Sequence, residues 1–302
     1  MAYSPFKKPT NKIIVASFET LTCQEGFART ATIYPGYVIS PYSYAGTDDI
    51  GVIASNGLKP PVGFCGYEQS FLSRPNAPSD YYSNRPDTVD EAFVSGAVLP
   101  IPFGGNFAIV GSLARGFKAE RGNLLVSWGE GKVAPAYQSA DGIAIKIPLV
   151  KKTSEYDTGI DFPVGIRVRG AFARVITNVA GAVVDAGFYS SEGGDADGLL
   201  DGLSLASAGY AMPEAAGASA SAITVGALVI AATVNADSKH FVIPKYHVIS
   251  DYTSFSYTTS NHNITGFLYV VVDGEGIEFV GKAEETVDAT LEDKDIMLTS
   301  TI

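Results

Sequence analysis

Between Ala97 and Ala136 no apolar run is long enough to make a helix of ordinary size, because glycine interrupts each one. Val98 to Ile101, Phe107 to Val110 and Leu124 to Trp128 are separated by Gly104-Gly105, Gly111, Gly116, Gly122, Gly129 and Gly131. Short apolar runs bounded by turn residues make strands, so the whole stretch reads as strand and turn. Within it, Ser127-Trp128-Gly129-Glu130-Gly131-Lys132 predicts a tight hairpin turn whose two glycines take positive φ without a Cβ clash. Nothing in the stretch looks catalytic.

The same chemistry extends through the chain. Its 302 residues include 32 Gly, 16 Pro, 16 Tyr and 16 Phe, a mixture that favours pleated surfaces joined by tight turns, so the expected class is all-β. The 46% hydrophobic content excludes a disordered chain. With no run of ~18 apolar residues, a membrane span or membrane partner is not expected. MAYSPFKKPTNK has basic residues but no apolar stretch after them, so synthesis in a cytoplasm without a secretory signal is expected. In such a compartment Cys23 and Cys65 read as two buried small hydrophobes, with a disulfide between them the alternative.

Charge divides the chain more sharply than hydropathy does. Residues 1–150 hold 12 Lys+Arg against 12 Asp+Glu, and residues 151–302 hold 9 against 20, so the whole formal charge of −11 falls in the second half. An acidic surface repels phosphate backbones, and no basic run interleaved with aromatics compensates; nucleic acid is not an expected partner.

Residues 1–12 read as an arm that orders against a neighbour. Lys12 to Phe18 is a first strand. Pro35-Gly36 supplies the fixed and the permissive φ of a type II turn between two strands, and Asn56-Gly57 separates IGVIAS from VGFCGY. From Glu68 to Glu91 the pattern stops: three Pro, the Tyr81-Tyr82 pair and the steps Arg74-Pro75 and Arg85-Pro86 make a long loop of the kind that binds something. Gly142 to Val150 closes the first half, and the polar stretch from Lys151 to Gly159 marks the expected boundary, giving domains 1–150 and 151–302.

In the second half, Val164 to Thr177 is expected to bury Ile166, Val168 and Phe172 and to wet Arg167, Arg169 and Arg174. Ala182 to Tyr189 is a strand, Ser190 to Asp201 a loop, and Leu203 to Ala208 a short piece, extended or helical. ITVGALVIAATV, within the Ala-rich stretch, reads as strand, YTSFSYTT alternates strictly, and TGFLYVVV is expected to be the last core strand. The acidic residues between Gly281 and Asp295 then form a solvated edge or tail.

Candidate chemistry is sparse. His240, His247 and His262 stand in no metal-ligand spacing, and neither a nucleophile elbow nor a phosphate-binding glycine loop occurs. Asp195, Asp197 and Asp201, around Gly198, resemble the opening of a calcium loop but lack its closing bidentate glutamate. Ca2+ is therefore the single candidate cofactor, and an acidic turn bonded to its own backbone is the alternative.

PGYVIS, VGFCGYE and the long segment from SGAVLPIPFGG to GEGKVAPA resemble the decoration, or capsid cement, proteins of tailed-virus heads. The resemblance rests on Pro35-Gly36 before an apolar strand, and on Gly122-Asn123-Leu124-Leu125 before the hairpin Gly129-Glu130-Gly131-Lys132; it covers roughly residues 30–137. VVDAGFYSSEGGDADGLLDGLS and YTTSNHNITGFLYVVV resemble a β-sandwich domain found in other viral structural proteins, in which the acidic segment is a loop. Together they imply a small β-barrel-like N-terminal domain followed by a C-terminal antiparallel β-sandwich. They also imply a virion protein without enzymatic activity, on the capsid surface, whose partners are the major capsid protein and itself as a homotrimer. Arg74, Tyr81, Tyr82 and Arg85 are the expected shell contacts. The rival readings are a carbohydrate- or receptor-binding β-sandwich using exposed tyrosines and the Asp195 cluster, a tail or major shell subunit, and a hydrolase.

Overall fold

The computed structural model describes residues 13–17, 22–30, 32–42, 51–67, 89–139, 142–212, 221–225, 228–232, 247–248, 253–260 and 263–302. They are all-β and belong to two compact units, Met1–Pro135 with Glu275–Ile302, and Ala136–Gly274. The strands of the first passage are β1 (Ile14–Ser17), β2 (Thr22–Ala28), β3 (Val38–Pro41), β4 (Gly51–Ala54), β5 (Gly63–Phe64), β6 (Val98–Phe103), β7 (Phe107–Leu113), β8 (Lys118–Ala119), β9 (Leu124–Ser127) and β10 (Val133–Ser139). The second unit adds β11 (Gly142–Val150), β12 (Tyr156–Phe162), β13 (Arg167–Thr177), β14 (Val183–Phe188), β15 (Leu200–Ser204), β16 (Gly209–Ala211), β17 (Ser221–Val225), β18 (Leu228–Ala232), β19 (His247–Val248), β20 (Thr253–Thr259) and β21 (Thr265–Asp273). The chain then returns to the first unit with β22 (Phe279–Ala283), β23 (Val287–Asp288) and β24 (Lys294–Ser300).

The first unit is a nearly closed barrel with a second sheet. Its barrel runs β7-β24-β22-β9-β10, and β10 comes back to β7 in parallel at Val133↔Leu113. Ile109, Leu125, Val280, Ile296 and Leu298 are wholly buried there. The other sheet runs β5-β3-β4-β2-β6. Pro35-Gly36 makes the expected type II turn, with Gly36 at φ 87° and the Tyr37 N–H donating to the Tyr34 carbonyl at 3.1 Å. The turn between β9 and β10 is also present, but its positive φ values fall on Glu130 (58°) and Gly131 (76°), the type I′ pattern that suits strand twist. Asn56-Gly57 turns the chain without making a hairpin: β4 and β5 both pair with β3, one on each side.

Two expectations about chain order are corrected. The acidic stretch from Gly281 to Asp295 is not a solvated tail, since β22 and β24 lie side by side between β9 and β7. Its acids sit in turns or cap neighbours: Asp288 accepts from Thr290, Glu284 from the Thr299 hydroxyl at 2.7 Å, and Glu285 from the Met297 N–H at 2.7 Å. The apolar alternation that fixes β24, Ile296 and Leu298, begins only after Asp295. The units also divide at 135/136 and 274/275, where the sequence suggested 150/151. β11 pairs with β21 in unbroken register from Ile143↔Val272 to Val150↔Thr265, so the polar stretch after Val150 is a link inside the sandwich. The sandwich thus interrupts the barrel unit in sequence.

The second unit is the expected antiparallel sandwich. One sheet contains β10-β11-β21-β13-β16, with β19 also on β13, and the other runs β12-β20-β14-β15. Phe162 is buried with Phe188 (5.6 Å, 84°) and Phe255 (6.0 Å). In β20 the alternating serines are buried along with the aromatic residues. Ser254 and Ser256 are buried, and their hydroxyls donate to Asp157 and Glu155. ITVGALVIAATV contributes to two strands in place of one, β17 and β18, which pair antiparallel from Ser221↔Ala232 to Val225↔Leu228. Of the 203–208 piece, Leu203 and Ser204 end β15, and residues 206–208 bend before β16; no helix forms there.

Tyr257 gives the sandwich an alkaline limit. Its phenol is buried, accepts the Val150 N–H at 3.3 Å, and is pushed up to about 12, chiefly by burial. The folded chain holds that proton more tightly than the unfolded one, so the stabilisation is whole below the ordinary phenol value of 10.0 and is lost as pH climbs from there through about 12. The expected loss reaches about 2–3 kcal/mol. Urea midpoints of the native chain should fall over that interval, and Tyr257→Phe should flatten the fall.

Candidate functional site

In the first unit, Ile13 and Tyr67, the described residues that flank the N-terminal arm and the long segment, are hydrogen-bonded to each other. The Ile13 N–H donates to the Tyr67 carbonyl at 3.0 Å, and the Val110 N–H donates to the Ile13 carbonyl at 3.1 Å. Residue 12, which closes the N-terminal arm, and residue 68, which opens the long segment, are therefore attached to neighbouring points of the unit. The arm and the segment themselves, with Arg74, Tyr81, Tyr82 and Arg85, lie outside the described residues.

The long segment rejoins at Val89 and Asp90, which line a cavity of about 340 Å³ together with Tyr34, Tyr37, Asp293 and Asp295. Tyr34 and Tyr37 meet at 5.2 Å. Burial raises the Tyr37 phenol, with Lys132 opposing. Lys132 bridges Glu130 (2.7 Å) and Asp293 (2.9 Å); burial alone would lower its ammonium, but the two hydrogen bonds prevail and raise it. The Arg115 N–H also donates to Asp293 at 2.8 Å. Lys294 also lines the cavity, so carboxylates, an ammonium and two tyrosine rings, Tyr37 half-buried and Tyr34 exposed, meet there.

The Asp195 loop is tied to its own backbone. The Asp195 carbonyl accepts the N–H groups of Phe188 (2.8 Å) and Gly198 (3.1 Å), and the Asp185 carboxylate accepts the Gly202 N–H at 2.7 Å. Burial first, then the charges of Asp197 and Asp185, push the Asp201 carboxyl up. Among the described residues no group of three or more His, Cys, Asp or Glu is placed to hold a metal ion. His240 and His262 lie outside the described residues, and His247 begins β19. Cys65 is buried as expected, Cys23 is exposed, and no disulfide joins them.

A second acidic group caps the sandwich. Glu155 accepts from the Ser190 N–H (2.8 Å), the Ser190 hydroxyl and the Ser256 hydroxyl (2.9 Å). Burial raises its carboxyl, but the Ser190 and Ser256 bonds outweigh burial and hold it below its usual value. These bonds are structural.

The sequence missed an aromatic row on the outer face of the β11-β21-β13-β16 sheet. The pairing of β13 with β21 slips between Val168 and Gly170, so the buried residues change from Val168 to Ala171, Ala173 and Val175. Phe172 consequently joins Arg174 on the outer face and stacks on Tyr269 (4.9 Å, 9°). Tyr137 meets Tyr269 at 6.4 Å, and Tyr210 meets Phe172 at 6.1 Å. Gly170, inside an otherwise regular strand, was the available signal for the slip. Compared with protein-family models, curated proteins and solved structures, the chain matches none.

Proposed function

We propose that this chain is a virion structural protein that binds the outside of an assembled head and stabilises contacts between capsomers, acting as a homotrimer and without catalysis. The observation that carries the reading is the Ile13–Tyr67 hydrogen bond, which roots the arm and the long segment at one place on the barrel unit. Two adjacent attachments raise the effective concentration of each for the same shell, and many weak contacts repeated by symmetry add avidity. A protein that binds only the assembled shell stabilises it by mass action.

Deletion of residues 1–12, or of 68–88, is expected to abolish binding to purified heads in a sedimentation assay while leaving the melting transition in place. Alanine at Arg74, Tyr81, Tyr82 and Arg85 together should weaken binding in the same assay. Full binding by both deletion variants would reject the assignment.

A further inference from the structure

The two sheets of the sandwich differ in charge. Arg167, Arg169 and Arg174, the only arginines between residues 136 and 274, are all on β13. Among the described residues of this unit, every carboxylate except Asp273 lies on or beside the other sheet or in the link between β14 and β15. Asp273 is held between Arg167 (2.6 Å) and Arg169 (3.0 Å), which uses those two cations. Lys146 and Arg174 remain, and neither is in an ion pair among the described residues. Lys146 Nζ lies 3.8 Å from the centre of the Phe267 ring, and the Arg174 guanidinium 5.9 Å from that of Tyr210. Burial raises the Tyr269 phenol, and the nearby Arg174 guanidinium opposes that rise.

This is a cationic, aromatic strip on a protein of charge −11, and part of it is open: Tyr210 is 66% exposed and Tyr137 37%. We propose that the outer face of the β11-β21-β13-β16 sheet is a binding site for an anionic polysaccharide, with sugar rings against Tyr210 and Tyr137 and acidic substituents on Arg174 and Lys146. Sugar C–H groups pack on aromatic rings, and carboxylates or sulfates pair with a guanidinium in charge-assisted hydrogen bonds. Single-stranded nucleic acid fits less well. A run of bases needs successive open ring faces, yet Phe172 and Tyr269 cover each other and Lys146 covers Phe267, which leaves only Tyr210 and Tyr137, on the first and last strands of the row. The site belongs to the sandwich unit and does not rest on the shell-binding reading.

The test is affinity electrophoresis of the full chain in gels containing alginate, dextran or poly(dT). Alginate should retard the native chain, and added salt should reduce the effect. Tyr210→Ala and Arg174→Gln should each weaken retardation about tenfold, the equivalent of about 1.4 kcal/mol. Because both side chains are exposed, the variants should melt like the native chain. The variant lacking residues 1–12 should still be retarded, which separates this site from shell docking. Absence of retardation by alginate, equal retardation by dextran, stronger retardation by poly(dT), or undiminished retardation of both substituted variants would each overturn the proposal.

Discussion

A chain ending at Gly274 is expected to lose the fold of its first unit outright. The missing 28 residues are not a tail: β24 pairs with β7 over six positions, from Lys294↔Leu113 to Thr299↔Ala108, and β22 joins β24 to β9. Removing them opens the barrel between β7 and β9 and exposes Ile109, Leu113 and Leu125, which are wholly buried in the intact unit. Each large aliphatic side chain so uncovered forfeits about 1.5–3 kcal/mol, and a few such losses equal the stability of a domain. The complementary variant should behave in the opposite way. Residues 1–135 joined by a short glycine-serine linker to 275–302 should fold, because both ends attach near one point: Trp128 N–H donates to the Lys132 carbonyl at 2.8 Å, and the Ser127 hydroxyl donates to the Gly276 carbonyl at 2.5 Å. Circular dichroism melting distinguishes the two, with a cooperative transition for the linked variant and none from the first unit in the truncated one.

Gly36→Ala should be the most damaging single substitution around Ile13 and β7. Gly36 has φ 87°, which costs an L-residue about 1–2 kcal/mol. Its missing Cβ would lie 2.1 Å from the Val110 carbonyl oxygen and 3.2 Å from Ile13, so β7 or β1 must move, a strain of a further 1–3 kcal/mol or so. The melting temperature should fall by roughly 10 °C or more, given the usual few degrees per kcal/mol. A variant that melts with the native chain would show that the Pro35–Gly36 turn does not hold Ile13 against β7.

This position also shows where sequence reasoning succeeds and where it stops. Pro35-Gly36 announces its own turn, because φ limits are local to the two residues. That Gly36 also lets β7 approach is a tertiary fact with no local mark. The all-β class was legible for the same reason as the turn, since glycine spacing and period-two patterning are local. The discontinuous first unit was not: nothing near Lys151 or Gly274 says which strand pairs with which, and acids gathered at Glu284, Glu285 and Asp288 hid the apolar residues of β24 behind them. Phe172 was placed on the wrong face because the slipped pairing between Val168 and Gly170 reverses the residues from Ala171 to Val175. The root of the arm and the long segment at Ile13 and Tyr67 joins positions 54 residues apart, and only the fold brings them together.

The proposed shell-binding role is tested most directly by counting copies of the full-length chain bound at saturation to purified, assembled heads, alongside the same measurement on unassembled capsid subunits. A fixed trimer-to-capsomer ratio on heads, with no binding to free subunits, is the expected result. Absence from heads at saturating concentration, or the handful of copies per particle typical of a tail component, would contradict it.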